Sequence, residues 1–182
     1  PISSAFPYSG ETSAEGITAP LTLVNEKHVG YLTTAGKIAV VEVNELDFLP
    51  SEIAFDEKGR SIPEGLTLPS HYNGPVATAF VNFPFLRMAK LAGAKAVICI
   101  WKGINDDCIE GQYLPFILGY QGIPAVWVNS KNGQKVIEEA KKGSTATFTL
   151  EAEIEKYAKT ESFWCVLDGE EDDESVIINT HT

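Results

Sequence analysis

At 182 residues and 44% apolar content, the chain can bury one good core and carry a small appendage, so a single domain is expected. Its formal net charge of -11 repels phosphate backbones and anionic lipid, and no Lys/Arg cluster interrupts it, which argues against nucleic-acid and membrane-surface partners. No apolar stretch approaches the roughly 20 residues of a membrane helix, so this segment is expected to insert in no membrane. The chain starts at Pro1 without a Met or a signal-peptide pattern, which reads as a start inside a longer reading frame.

In chain order, residues 1–16 are rich in Ser, Gly and Pro without a sustained period and read as an extended lead-in wrapping a surface. Ile17 to Val24 is the first predicted strand, and Gly36 to Val43 the second. His28 lies between them as a turn residue. From Asn44 to Gly74 the pattern is broken by Pro50, Gly59, Pro63, Gly65 and Pro69. This long insertion is either a partner-facing excursion or a plain loop, and its His71 reads as a solvated loop residue.

Val76 to Phe83 reads as a strand, Pro84 to Ala92 as a short amphipathic helix, and Ala96 to Trp101 as a strand buried on both faces. Phe85, Met88, Ala89 and Ala92 share one helical face, and Gly93 sits where a left-handed C-cap is wanted. The short connections make a right-handed parallel crossover the expected topology. The acids of Lys102 to Gly111 lack calcium-loop spacing and read as a solvated loop.

Ile123 to Val128 is a further buried strand, followed by a helix over 131–142 that Ser130 can cap and Gly143 ends. Thr145 to Glu155 alternates strictly, with Ala146, Phe148, Leu150, Ala152 and Ile154 facing one way, which predicts a half-exposed strand. Ser162 to Leu167 and Ser175 to Thr180 read as two more strands, joined by the acidic run Asp168 to Glu174. The fold class is therefore mixed α/β, a strand-rich core with two main helices near 84–92 and 131–142. Cys99, Cys108 and Cys165 have no metal-finger spacing; Cys99 and Cys165 lie in apolar strand contexts and read as small buried hydrophobes.

Taken in series, Gly36-Lys-Ile-Ala-Val-Val41, Ala89-Lys-Leu-Ala-Gly-Ala-Lys-Ala-Val-Ile98, Gly122-Ile-Pro-Ala-Val-Trp-Val128 and Gly143 before an alternating strand resemble the protease-associated domain. The resemblance spans roughly Ile17 to Ile154 and implies that family's swivelling α/β fold. The tail, Phe163-Trp-Cys-Val-Leu-Asp-Gly169 and then Glu174-Ser-Val-Ile-Ile-Asn-Thr-His-Thr182, is similar to the entry into a co-catalytic zinc aminopeptidase or carboxypeptidase domain. The superfamily is that of glutamate carboxypeptidase and the transferrin receptor. There a strand delivers a His, one spacer residue and a metal-bridging Asp; His181 matches the His and Thr182 the spacer. The resemblance thus divides the chain into a lead-in (1–16), a protease-associated domain (17–160, with the insertion 44–74) and exit strands (161–182) into a truncated peptidase domain.

The residues themselves supply no catalytic set: histidines at 28, 71 and 181 cannot make a two-zinc site alone, and no activated nucleophile can be named. The fragment is expected to be no enzyme and to hold no cofactor. What the resemblance implies is a parent zinc metallopeptidase in an extracellular or lumenal setting, with His181 a metal ligand only in the full-length parent. The segment would then cover or shape the active site and control substrate access, its partners being the parent's peptide or protein substrates and its own catalytic domain. The alternative is an autonomous peptide- or small-molecule-binding module, with its pocket at the strand ends around Trp101–Gly111 and Val128–Lys131.

Overall fold

A computed structural model of the protein describes residues 4–24, 30–44, 49–50, 71–72, 85–102, 119–155, 157–159, 161–167, 169 and 178. In chain order its elements are β1 (Ser4–Ala5), β2 (Ile17–Val24), β3 (Ile38–Asn44), β4 (Leu49–Pro50), β5 (His71–Tyr72), α1 (Leu86–Leu91), β6 (Ala96–Lys102), β7 (Ala125–Asn129), α2 (Ser130–Lys142) and β8 (Thr145–Phe148). Six strands form one mixed sheet in the order β1-β7-β6-β3-β2-β8, curled into a half-barrel. Its four inner strands are parallel, and β1 and β8 close the two ends antiparallel.

Of the parallel strands, β3, β6 and β7 are the apolar runs of the sequence, and both their faces are covered, which is why they read as continuous rather than alternating. Val97, Cys99, Trp101, Ala125 and Trp127 point into one core, which α1 covers with Leu86 and Ala89. Ile38, Val40, Ala96, Ile100, Val126 and Val128 point into the other, which α2 covers with Ile137 and Ala140. β6 runs parallel to both β3 and β7, and α1 stands between β3 and β6 in the chain. The predicted strand Val76 to Phe83, from which the expected crossover starts, and Pro84 at the start of the predicted helix lie outside the described residues.

Several boundaries differ from the sequence reading. Of the expected face of α1, Ala89 is buried and Ala92 packs against the core, but Leu86 is buried where Phe85 and Met88 were expected, and those two are 63% and 57% exposed. The helix carries two apolar arcs about 100° apart, both of helical period, and packing selects the 86/89 arc. At the start of α2, Asn129 rather than Ser130 is the cap: its Oδ1 accepts from Asn132 N–H at 2.9 Å. Ser130 Oγ instead donates to the Trp101 carbonyl at 2.8 Å, tying the helix to β6. Gly143 ends α2 in the left-handed conformation, as expected.

The lead-in does more than wrap a surface. Phe6 is buried and stacks on Trp127 with ring centroids 4.8 Å apart. Gly10 N–H donates to the Ile123 carbonyl at 2.7 Å, and Thr12 N–H to the Leu150 carbonyl at 2.8 Å. The lead-in therefore bonds to segments at both ends of the curled sheet.

β8 stops at Phe148, seven residues short of the predicted Glu155, because its partner β2 begins at Ile17 after the left-handed Gly16. Residues 151–155 are exposed. In the insertion, Leu49 pairs with Tyr72 and Pro50 with His71; residues 51–70 lie outside the described set.

Candidate functional site

Each chemically notable residue of the sequence has a definite standing in the fold. His28 and His181 lie outside the described residues, as do Cys108 and residues 103–118, so neither the expected metal ligand nor the predicted pocket around Trp101–Gly111 is placed. His71 stands in β5 opposite Pro50. Among the described residues no three His, Cys, Asp or Glu side chains come together as a metal site. Glu42 and Lys102, at the carboxyl ends of β3 and β6, form an ion pair.

The two described cysteines separate. Cys99 is fully buried in β6, and burial pushes its thiol well above the ordinary range. Desolvation raises the neighbouring Tyr31 phenol in the same direction. Cys165 is exposed, against the expectation of a buried residue. The whole predicted strand Ser162 to Leu167 is non-strand and open to solvent. Phe163, Trp164, Val166 and Leu167 are 69–96% exposed, and Ile178 beyond them is exposed too. A run of β-prone residues becomes a strand only beside a partner strand, and none of the described strands pairs with this run.

Other apolar surface lies along α1, where Met88 and Leu91 face water beside Arg87 and Lys90. On the opposite side of the sheet, a cavity of about 400 Å³ opens between α2, β7 and β8. Ile98, Val126, Val128, Val136 and Phe148 make its apolar lining, and Lys135 and Thr147 contribute polar groups. Its lining joins β8 at one end of the sheet to β6 and β7 near the other. Sequence reasoning placed the pocket at the strand ends; only Val128 is common to that expectation and this cavity. Its signal in the sequence was indirect, because four elements, β6, β7, α2 and β8, must be assembled before these side chains meet.

Among the described residues, the arrangement offers an apolar recess, a strand edge without a partner and an exposed cation. No family model matches the chain, and no curated protein matches it. Solved structures do. One is a zinc aminopeptidase from Bacillus subtilis, 21% identical, covering 74% of this chain and 24% of that one with a TM-score of 0.41. Another is an aminopeptidase from Aneurinibacillus sp. strain AM-1, 19% identical, covering 78% and 25% with a TM-score of 0.38. A third is a peptidase M28 precursor from Shewanella amazonensis SB2B, 17% identical, covering 80% and 29% with a TM-score of 0.42. The chain therefore matches about a quarter of the length of each of these peptidases.

Proposed function

We propose that the chain is the protease-associated domain of a secreted or lumenal zinc exopeptidase, together with the exit segment that leads into the peptidase domain. In this reading the domain is non-catalytic, sits beside the active site and governs which peptides reach it. The zinc belongs to the peptidase domain, and His181 is one of its ligands there. The Bacillus subtilis zinc aminopeptidase to which the chain is similar in part is an enzyme of the kind such a parent would be.

The observation that carries the proposal is the exit segment. Burying apolar surface is worth about 25 cal/mol per Å², and Phe163, Trp164, Val166 and Leu167 bury almost none of theirs. A contiguous exposed run of this kind marks a contact surface. A peptidase domain on which residues 162–167 add a strand satisfies it, and the sequence resemblance of the same residues to a catalytic-domain entry points the same way. The remainder supports a positioning role: a sheet buried on both faces is a rigid mount for the surfaces it carries.

The test is His181→Ala in the full-length parent, read by metal content and peptidase activity alongside circular dichroism. The variant is expected to lose bound zinc and activity while the spectrum is preserved. Full zinc and full activity would reject the assignment of the tail to the catalytic domain.

A further inference from the structure

Among the described residues the outer edge of β8 has no partner strand, and an apolar cavity lies beside it. Leu21 N–H donates to the Ser144 carbonyl at 2.8 Å, one residue beyond the paired register, which makes 21/144 a bonded pair of the antiparallel ladder. Alternation then makes 19/146 and 17/148 bonded pairs and 20/145 and 18/147 non-bonded ones. Two residues agree with this phase. Pro20, which has no N–H to give, occupies a non-bonded position. Thr18 and Thr147, opposite each other where side chains approach closest, join their hydroxyls at 2.9 Å.

The main-chain N–H and C=O groups of Thr145 and Thr147 therefore point away from β2. β8 is the last strand on that side of the sheet, so these groups form a strand edge without a partner among the described residues. Thr147 and Phe148 also line the apolar cavity of about 400 Å³ that opens toward β6 and β7, within the roughly 300–1,000 Å³ typical of ligand pockets. Lys135 of α2 lines the same cavity, is exposed, and has no carboxylate partner among the described residues.

We propose that this edge binds an extended peptide as an added strand of the half-barrel. The peptide's main chain bonds to Thr145 and Thr147. Its alternate side chains, small and branched, enter the recess of Ile98, Val136 and Phe148, and an acidic side chain at one end meets Lys135. The charge fixes the partner's chemistry: an unpaired ammonium at the rim of an apolar recess selects a carboxylate and rejects a basic residue. The inference stands whether or not the chain belongs to a peptidase, because it uses only residues of this domain.

The test uses the peptide carboxyfluorescein-Thr-Val-Thr-Val-Thr-Glu-amide, with the dye on the N-terminal amine, mixed with the 182-residue chain at low salt and followed by anisotropy. Saturable binding is expected. It should weaken by about tenfold or more with Lys135→Glu, or when the peptide's Glu is replaced by Lys. Methylation of alternate peptide nitrogens, which removes the edge hydrogen bonds without touching the protein, should abolish it. Absence of saturable binding overturns the proposal. So does binding indifferent to both Lys135→Glu and N-methylation, and so does sedimentation showing the chain to be a dimer that the peptide does not dissociate.

Discussion

Cys99 shows how one buried side chain makes stability depend on pH. Its thiol is held neutral by the core of β6, so its pKa in the folded chain lies above the unfolded value of roughly 8.5. A raised folded pKa means the contribution is fully present below the unfolded value and is lost as pH rises, since only the unfolded chain then gains by losing the proton. Tyr31, raised by the same desolvation, adds to the effect at higher pH. Unfolding stability is therefore expected to fall by about 2 kcal/mol between pH 7 and pH 10. Urea unfolding at the two pH values checks this, and Cys99→Ala should shrink the decline. A decline of equal size in that variant would place its origin elsewhere.

At the scale of elements, the close approach of α2 to β6 sets the thickness of the second core. Gly133 faces the sheet, and a Cβ there would overlap the Cγ2 methyl of Ile100, a branched core side chain with little freedom to move. Alanine would gain about 1 kcal/mol of helix propensity. Overpacking of this kind costs about 1–3 kcal/mol, so Gly133→Ala is expected to be destabilised, by about 1 kcal/mol net. An upward shift of its urea midpoint would contradict the packing described.

The sequence makes some elements plain and others not, for physical reasons that differ. β3, β6 and β7 are legible because residues buried on both faces must be apolar throughout. The face of α1 is legible only in part: Ala89 and Ala92 pack as expected, but Leu86 is as consistent with the helical period as Phe85 and Met88, and only the fold chooses it. Asn129 and Ser130 are both good caps, and the hydroxyl was drawn off by the Trp101 carbonyl. The alternation of Thr145 to Glu155 outlasts the strand because pairing needs β2 opposite, and β2 starts at Ile17. The candidate cavity was hidden for a related reason: Ile98, Val128 and Phe148 each read as ordinary core residues until the sheet's curl leaves them around a common recess.

For the molecule as a whole, two kinds of surface follow from one architecture. A sheet covered by a helix on each face has little freedom to bend, so its ends and edges are where contacts with other chains can be made. On one side lies the edge of β8 with its recess and Lys135. The exit segment is the other, and it presents Phe163 to Leu167 to solvent. The first is proposed to receive peptide and the second to join the peptidase domain, and the two are separated by residues 149–161 of the chain.

The reading as a domain of a larger peptidase rests on where Phe163 to Leu167 go, and Cys165 is a built-in reporter within that run. Alkylation of Cys165, resolved by peptide mass analysis, can be timed in the 182-residue chain and in the full-length parent under the same native conditions. Fast modification in the chain is predicted. In the parent it should be at least about tenfold slower, which corresponds to about 1.4 kcal/mol of protection. Equal rates in the two would contradict the assignment of this segment to the peptidase domain.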